Sequence, residues 1–207
     1  MLVNLSVKDF LSKTAGSDPV PGGGSIAALN AAISAALVEM VANLTIGKKK
    51  YEDKEEAMKQ IAASANNYQM IFIQKIDEDS DAYNKVFDAF KLPKETDEEK
   101  AERSKQIQSA TKIAAEVPME VARKAYEIMD IIMQVAADGN QNAITDACVS
   151  MMTARTAVLG AILNVKINLS SLKDEEYVAK MKKECDLLEK GAIAKEKELL
   201  DRVNKTL

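Results

Sequence analysis

Residues 18–46 read DPVPGGGSIAALNAAISAALVEMVANLTI, and this stretch decides the fold. Pro19 and Pro21 stiffen the approach, and Gly22, Gly23 and Gly24 permit a tight, unhindered backbone path. Ser25 is placed to cap a helix that begins there. Ser25 to Ile46 is apolar on nearly every side, which predicts a helix covered by neighbours around most of its circumference. Its length approaches a bilayer span, but Asn30, Glu39 and Asn43 interrupt it and no second such segment is expected, so the expectation is a core helix and no membrane. Gly47 is expected to end the helix, with Lys48, Lys49 and Lys50 complementing its negative end. A glycine turn at a helix start can bring a ligand against backbone N–H groups. It can equally be a sharp entry into a packed helix and nothing more.

Outward from this stretch, helical signals recur. Val7 to Thr14 reads as a short amphipathic helix. Ile61, Ala65, Tyr68, Phe72, Ile76, Tyr83 and Phe87 fall near helical spacing and predict one long helix from Glu52 to about Phe90, stopped by Leu92-Pro93. Thr96-Asp97-Glu98-Glu99 is a capping box opening the next helix, which Val117-Pro118 breaks or kinks. Val121, Ala125, Ile128, Met129, Ile132, Met133 and Ala136 make one apolar face, and Asp138-Gly139-Asn140 reads as a turn. Gln141 to about Leu169 is a further long helix of small and apolar residues, and a charged amphipathic helix follows the start signals of Ser171 to Glu176. No stretch alternates as a strand would. The expectation is an all-α fold, one domain over residues 1–207, built as a bundle of long antiparallel helices around a buried Ala-rich helix.

Composition narrows the chemistry. The 207 residues are 47% hydrophobic but only 4% aromatic, without Trp, so Ala, Ile, Leu, Val and Met must do the packing, which suits close helix–helix contact. A net charge of −4 gives no electrostatic case for nucleic acid. No secretory signal is read at the start, and Cys148 and Cys185 form no ligand spacing, so reduced thiols in a cytoplasmic protein are expected. Histidine is absent. That excludes His-dependent triads and His metal sites, so no metal is expected, and acid–base work falls to Asp, Glu, Lys, Tyr, water or the substrate.

Polar residues stand out against the apolar helices. At ~100° per residue, Asn142, Asp146, Ser150, Thr153, Asn164 and Asn168 share one side of their helix. Such a stripe must be satisfied by an interhelical hydrogen-bond network, by water or by a ligand. Glu39 needs a partner or a raised pKa if it is buried, and neither if it sits at a less buried end. Asp77, Glu78, Asp79 and Asp81 crowd one segment, either as a solvated acidic face or as carboxylates that raise one another's pKa. Lys48-Lys49-Lys50-Tyr51 reads as a helix-end clamp of solvated lysines, with a tyrosine that could stack on a flat ring.

The block PGGGSIAALNAAISAALVEMVANLTIGKKKYED resembles the opening of the cyclodeaminase/cyclohydrolase family, the folate enzymes that share a domain with formiminotransferase-cyclodeaminase. The likeness continues in Ile76-Asp77-Glu78-Asp79 with Ala82-Tyr83, in Leu92-Pro93-Lys94-Glu95-Thr96, in Val117-Pro118, in Gly139-Asn140-Gln141-Asn142 with Asp146, and in Asn164-Val165-Lys166-Ile167-Asn168-Leu169. The blocks keep family order over about Phe10 to Tyr177. The chain resembles the stand-alone form, with any formiminotransferase expected as a separate partner.

The resemblance implies a formimidoyltetrahydrofolate cyclodeaminase of one-carbon metabolism and histidine degradation, converting 5-formimidoyltetrahydrofolate to 5,10-methenyltetrahydrofolate and ammonia. The alternatives are a 5,10-methenyltetrahydrofolate cyclohydrolase giving 10-formyltetrahydrofolate, and a non-catalytic folate-binding or helical scaffold protein. The resemblance selects Asp146 and Asp79 as the catalytic carboxylates, with the order of their roles open. Asn140, Asn142 and Asn164 would orient the pterin or the reacting amides, Gly22, Gly23, Gly24 and Ser25 would approach the substrate with backbone N–H groups, and Lys48 would hold the tail of a polyglutamylated folate. It also implies a homodimer and no metal or redox cofactor.

Overall fold

A computed structural model of the chain describes residues 1–205. At its centre helix α2 (Gly23–Asn43) and helix α5 (Ile144–Leu169) lie side by side, antiparallel. Their meeting faces are made of small side chains. Ala27, Ala28, Ala31 and Ala35 on α2, and Ala147, Ala154, Ala157 and Ala161 on α5, are all buried. Side chains that end at Cβ let helix axes draw close. Three ties fix the register. Asn164 packs on Gly23. Ser34 Oγ donates to the Ser150 carbonyl and Ser150 Oγ to the Ser34 carbonyl, each at 2.9 Å. The Asn140 backbone N–H donates to Thr45 Oγ1 at 2.8 Å.

The other helices pack around this pair and leave one face of it open, where Ile33, Leu163 and Ile167 are exposed. α1 (Val7–Thr14) is short, and α3 (Glu55–Phe90), α4 (Asp97–Asp138) and α6 (Glu175–Val203) are long. α3 runs antiparallel to α2 and α4 antiparallel to both α3 and α5, while α6 returns along α5 through Arg155–Glu196 and Lys166–Glu189. Phe72, Met58, Met119, Ile128, Met129, Ile132 and Met151 fill the space between with no exposure to solvent. The expected all-α bundle with a buried Ala-rich helix is thus the observed one, and no strand occurs among the described residues.

Several local expectations change. α2 starts at Gly23 with Gly22 as its N-cap, so Ser25 lies inside the first turn and turns its fully buried hydroxyl toward α3 instead of capping. α2 ends at Asn43, and Gly47 (φ 73°) ends the turn beyond it. Lys49–Lys54 form a 3₁₀ turn that leads into α3, which begins at Glu55 and not Glu52. The lysines therefore open the next helix and do not clamp the last one. Gln141–Leu169 is a second segment long and apolar enough to cross a bilayer, contrary to expectation. Within each of the two segments, about half the most apolar window is buried inside the bundle (56% and 50%), and the reciprocal serine bonds join them there.

Pro118 was expected to break or kink its helix, and α4 runs through it without a break. Proline has no N–H, so the carbonyl four residues back, that of Ala114, loses its helical donor. Asn168 on α5 replaces it, donating from Nδ2 to the Ala114 carbonyl at 2.9 Å. A buried carbonyl left without any donor costs about 1–3 kcal/mol. Asn168→Ala is expected to destabilise the protein by about that amount in urea unfolding. In a Pro118→Ala background the backbone N–H returns and the cost of Asn168→Ala should shrink; an unchanged cost in this double-mutant cycle would rule out the replacement.

Candidate active site

Where α2 begins, a cleft of about 340 Å³ opens between the glycine turn, α3, α4 and the end of α5. Gly22, Gly23 and Gly24 form one wall, Asn164, Ile167 and Asn168 another, and Asp79, Tyr83 and Val86 of α3 a third. A hollow of about 500 Å³ lies between α3 and α4, lined by residues such as Lys85, Glu102 and Ile113. It is larger, but the smaller cleft is where a carboxylate, two amides and open backbone converge, the arrangement expected of a site.

Asp79 is the chemical centre of the cleft. Its carboxylate lies on the Cα of Gly24, where any Cβ would overlap Oδ1. Only glycine at 24 admits it. Ser25 Oγ lies 3.1 Å from Asp79 Oδ2, 2.9 Å from the Ile76 carbonyl and 3.2 Å from Ser80 Oγ, so its single proton is shared among competing acceptors. The Ser25 backbone N–H also donates to the carboxylate. These bonds at a helix N-terminus favour the charged form. Burial opposes them and is the larger cause, so the Asp79 pKa is raised above its ordinary value.

The expected site residues fall into two groups at opposite ends of the bundle. Gly22, Gly23, Gly24, Asn164 and Asp79 meet in the cleft, with Ser25 directly beneath it. Asp146, Asn140, Asn142 and Lys48 do not. Because α2 and α5 are antiparallel and each spans the molecule, the start of α5 sits beside the end of α2. Asp146 is about 27 Å from Asn164 along α5 at ~1.5 Å per residue. The expectation that one chain brings Asp146 and Asp79 together is therefore corrected. Asn140 is a structural cap, accepting from the Asn142 N–H at 3.1 Å and donating to the Leu44 carbonyl at 3.0 Å. Asn142 is exposed. Lys48 is exposed at that same far end and cannot reach a tail leaving its own chain's cleft. Tyr51 accepts from the Gln141 N–H at 3.1 Å and so latches the α4–α5 turn instead of offering a free ring edge. The glycine turn also differs from expectation, since the Ser25 N–H is occupied by Asp79.

The remaining polar residues separate in the same way. On α5, Ser150 belongs to a buried bond network with Ser34, while Asn164, held by its Nδ2 donation to the Gly160 carbonyl (2.8 Å), faces the cleft. In the acidic segment Asp77 Oδ1 accepts the Leu2 N–H at 2.6 Å, Glu78 pairs with Lys75, Asp81 is exposed, and Asp79 alone lines the cleft. Glu39 is half-buried and accepts from Asn66. Sequence reasoning placed Asn168 on the polar stripe that could wall a pocket, and the cleft bears that out, but it gave no site role to Tyr83 or Ile167. Asn168 carried a signal in Pro118, whose missing donor demands a replacement. Tyr83 carried one in its spacing of one helical turn after Asp79.

A sequence profile of the formiminotransferase-cyclodeaminase family matches residues 6–187. The methenyltetrahydrofolate cyclohydrolase of Methylorubrum extorquens is 41% identical over 195 residues, covering 93% of this chain and 94% of that one. The formimidoyltransferase-cyclodeaminase of Mus musculus is 30% identical over 179 residues, covering 86% of this chain but 33% of the mouse protein. The crystal structure of formiminotetrahydrofolate cyclodeaminase from Thermotoga maritima superposes with a TM-score of 0.84 at 29% identity, over 98% of this chain and 99% of that one.

Two outcomes follow from the Asp79 cradle. A carboxyl whose folded pKa is raised holds its proton longer in the folded than in the unfolded chain, so its stabilising share is full below the ordinary value of 3.8 and is lost as pH rises through the folded pKa. Asp79→Asn should therefore gain stability relative to the parent as pH rises above 3.8, read by urea unfolding across pH; a pH-independent difference would show an unshifted carboxyl. Gly24→Ala should displace the Asp79 side chain, abolish whatever activity needs it, and cost about 1–3 kcal/mol from overpacking. Gly23→Ala meets only the Asn164 amide at 3.1 Å and should be milder on both measures.

Proposed function

Because the chain belongs to the formiminotransferase-cyclodeaminase family, we propose that it is a 5,10-methenyltetrahydrofolate cyclohydrolase. The 41% identity to the Methylorubrum cyclohydrolase, nearly end to end in both chains, carries this reading over the deaminase. The site supports it chemically. The substrate carries a cationic carbon bridging N5 and N10, and an ionised Asp79 at the cleft wall favours that charge. Water adds to the carbon and its proton passes to Asp79. The adduct's hydroxyl gives up its remaining proton to solvent as the bond from the carbon to N5 breaks, N5 takes the proton held by Asp79, and 10-formyltetrahydrofolate leaves with one proton released overall. A raised pKa suits a carboxyl that must accept a proton and return it. Asn164, fixed by its bond to Gly160, orients the pterin against the glycine turn.

Cyclodeamination is the second reading, supported by the likeness to the Thermotoga enzyme. N10 attacks the formimino carbon, Asp79 takes the N10 proton, and the protonated amino group leaves as ammonia. Both reactions share the methenyl compound and depend on holding N5, N10 and the carbon in one geometry.

Purified protein should accelerate 10-formyltetrahydrofolate formation from the methenyl compound and release little ammonia from 5-formimidoyltetrahydrofolate. Ammonia release with the greater kcat/KM would establish the second reading, and turnover of neither would leave a binding or scaffold role. Asp79→Asn should lower kcat ~10²–10⁴-fold, the scale of a general acid–base group. Parent rates in that variant would remove Asp79 from the chemistry.

A further inference from the structure

Ser80 is the one uncharged position in the acidic run Asp77 to Asp81, and the one buried position in it. It follows Asp79 by ~100° around α3 and so turns toward the first turn of α2. Its hydroxyl lies 3.2 Å from Ser25 Oγ, and among the described residues this is its sole hydrogen-bond partner. A buried hydroxyl gives its proton to an acceptor where one is in reach. Ser80 therefore donates to Ser25. Ser25 is left with two acceptors for its own proton, Asp79 Oδ2 at 3.1 Å and the Ile76 carbonyl at 2.9 Å. Ser25 is fully buried and Ser80 nearly so, which closes this chain of bonds to bulk water.

Both protonation states of Asp79 satisfy this chain without moving a heavy atom. When the carboxylate is charged, the Ser25 proton points to Oδ2, and the Ile76 carbonyl keeps its helical donor, the Ser80 backbone N–H four residues on. When Asp79 holds a proton on Oδ2, that proton points back to Ser25 Oγ over the same 3.1 Å, and the Ser25 proton turns to the Ile76 carbonyl. The Ser25 oxygen then accepts from Ser80 and from Asp79, using both of its lone pairs. The Ser80 proton stays on Ser25 in each state, and a donor on Ser25 Oγ strengthens the bond that Ser25 gives to the carboxylate. No charged neighbour substitutes for it. Tyr83 is the only other titratable group on the walls of the cleft, and the glycine turn, α4 and α5 add none there. Beyond the walls, Asp18 accepts from the Val20 N–H and Asp77 from the Leu2 N–H, Glu78 and Glu120 hold Lys75, Glu116 meets Arg123, Lys112 pairs with Asp174 and Lys166 with Glu189, and Asp81 is exposed. α2 carries no charged residue before Glu39, toward its far end. Burial and Ser25 alone act on the Asp79 pKa.

We propose that Ser80 is a positioning residue for proton transfer at Asp79, acting through Ser25 as the fixed end of a two-position hydrogen-bond relay. The Ser25 proton faces the carboxylate when Asp79 is charged and the Ile76 carbonyl when Asp79 has taken a proton from the attacking water. One hydroxyl rotation accompanies each gain or loss of that proton, and neither form of a partly buried carboxyl is left short of a partner. This rests on the reading above of Asp79 as the group that takes the water proton and returns it.

Removing the fixed end weakens a bond that favours the charged form, so in Ser80→Ala the Asp79 carboxyl should titrate at higher pH than in the parent. NMR of the folded, ligand-free protein with isotope-labelled aspartate carboxyl carbons reads this directly, the Asp79 signal being assigned by its loss in Asp79→Asn. The midpoint should move up by about half to one pH unit, the scale of one hydrogen bond. Asp79 must be charged to accept the water proton, so the acid limb of kcat/KM for the methenyl substrate should move up with it, and activity should fall more at low pH than at high pH. Ser25→Ala should move the midpoint further in the same direction. Adding Ser80→Ala to Ser25→Ala should move it no more, since Ser80 acts only through Ser25. An unshifted midpoint in folded Ser80→Ala, or a Ser80→Ala shift that persists in full without the Ser25 hydroxyl, would overturn the relay. If Ser80→Ala folds poorly, Ser80→Cys takes its place. The thiol is a weak donor, so a smaller upward shift is expected, and a midpoint equal to the parent's would overturn the relay. Failure of the folate reading is distinguishable: the parent then converts neither folate, while the carboxyl titration still shows or denies the relay.

Discussion

The close antiparallel contact of α2 and α5 is the constraint on which the rest of the molecule depends. Alanine faces bring the two backbones together, and the reciprocal bonds of Ser34 and Ser150 settle buried hydroxyls that would otherwise lack partners. Every long helix then takes its place against this pair. The contact also decides where chemistry can occur, because the start of one helix is set beside the finish of the other. The cleft exists because the glycine turn opens α2 just where α5 runs out.

At that end, two opposing effects act on one carboxyl. The first turn of α2 directs a backbone N–H and a hydroxyl at Asp79, which favours charge, while surrounding protein removes water, which disfavours it. Burial prevails, and Gly24 is what permits it: without a Cβ the backbone comes close enough to seal the carboxyl from solvent on that side. Gly24 thus acts as a recess for the protein's own acid, while Gly22 and Gly23 line the cleft.

Most of the architecture was legible in local signals. The Ala-rich run of α2 could be nothing but a covered helix, and Thr96 with Glu99 forms the reciprocal box its spacing announces. Asp79 was legible only through the family likeness, since its neighbours Asp77, Glu78 and Asp81 carry the same local charge pattern. Periodicity reports which face of a helix a residue occupies. It does not report which ends of different helices meet, and this is why Asp146, Asn142 and Lys48 were grouped with residues a helix length away. Ser25 was misread as a cap for a related reason: a buried hydroxyl and a capping hydroxyl look alike until the helix across from it is known. Pro118 read as a break or kink because the compensating amide, Asn168, lies far along the chain.

The three ties between α2 and α5, at both ends and the middle, make the length of these helices a fixed quantity. Removing a single residue between two ties would turn everything beyond it by ~100° and shift it by ~1.5 Å, breaking the serine pair or lifting Asn164 off Gly23. Side chains along the pair can be exchanged for others of like size, but residues cannot be gained or lost. Variation in length is confined to segments outside the ties, such as the Lys91–Thr96 connection between α3 and α4, where the chain is exposed. Homologous chains that share this core should therefore align through α2 and α5 without gaps and differ in length chiefly at that hairpin tip and beyond α5.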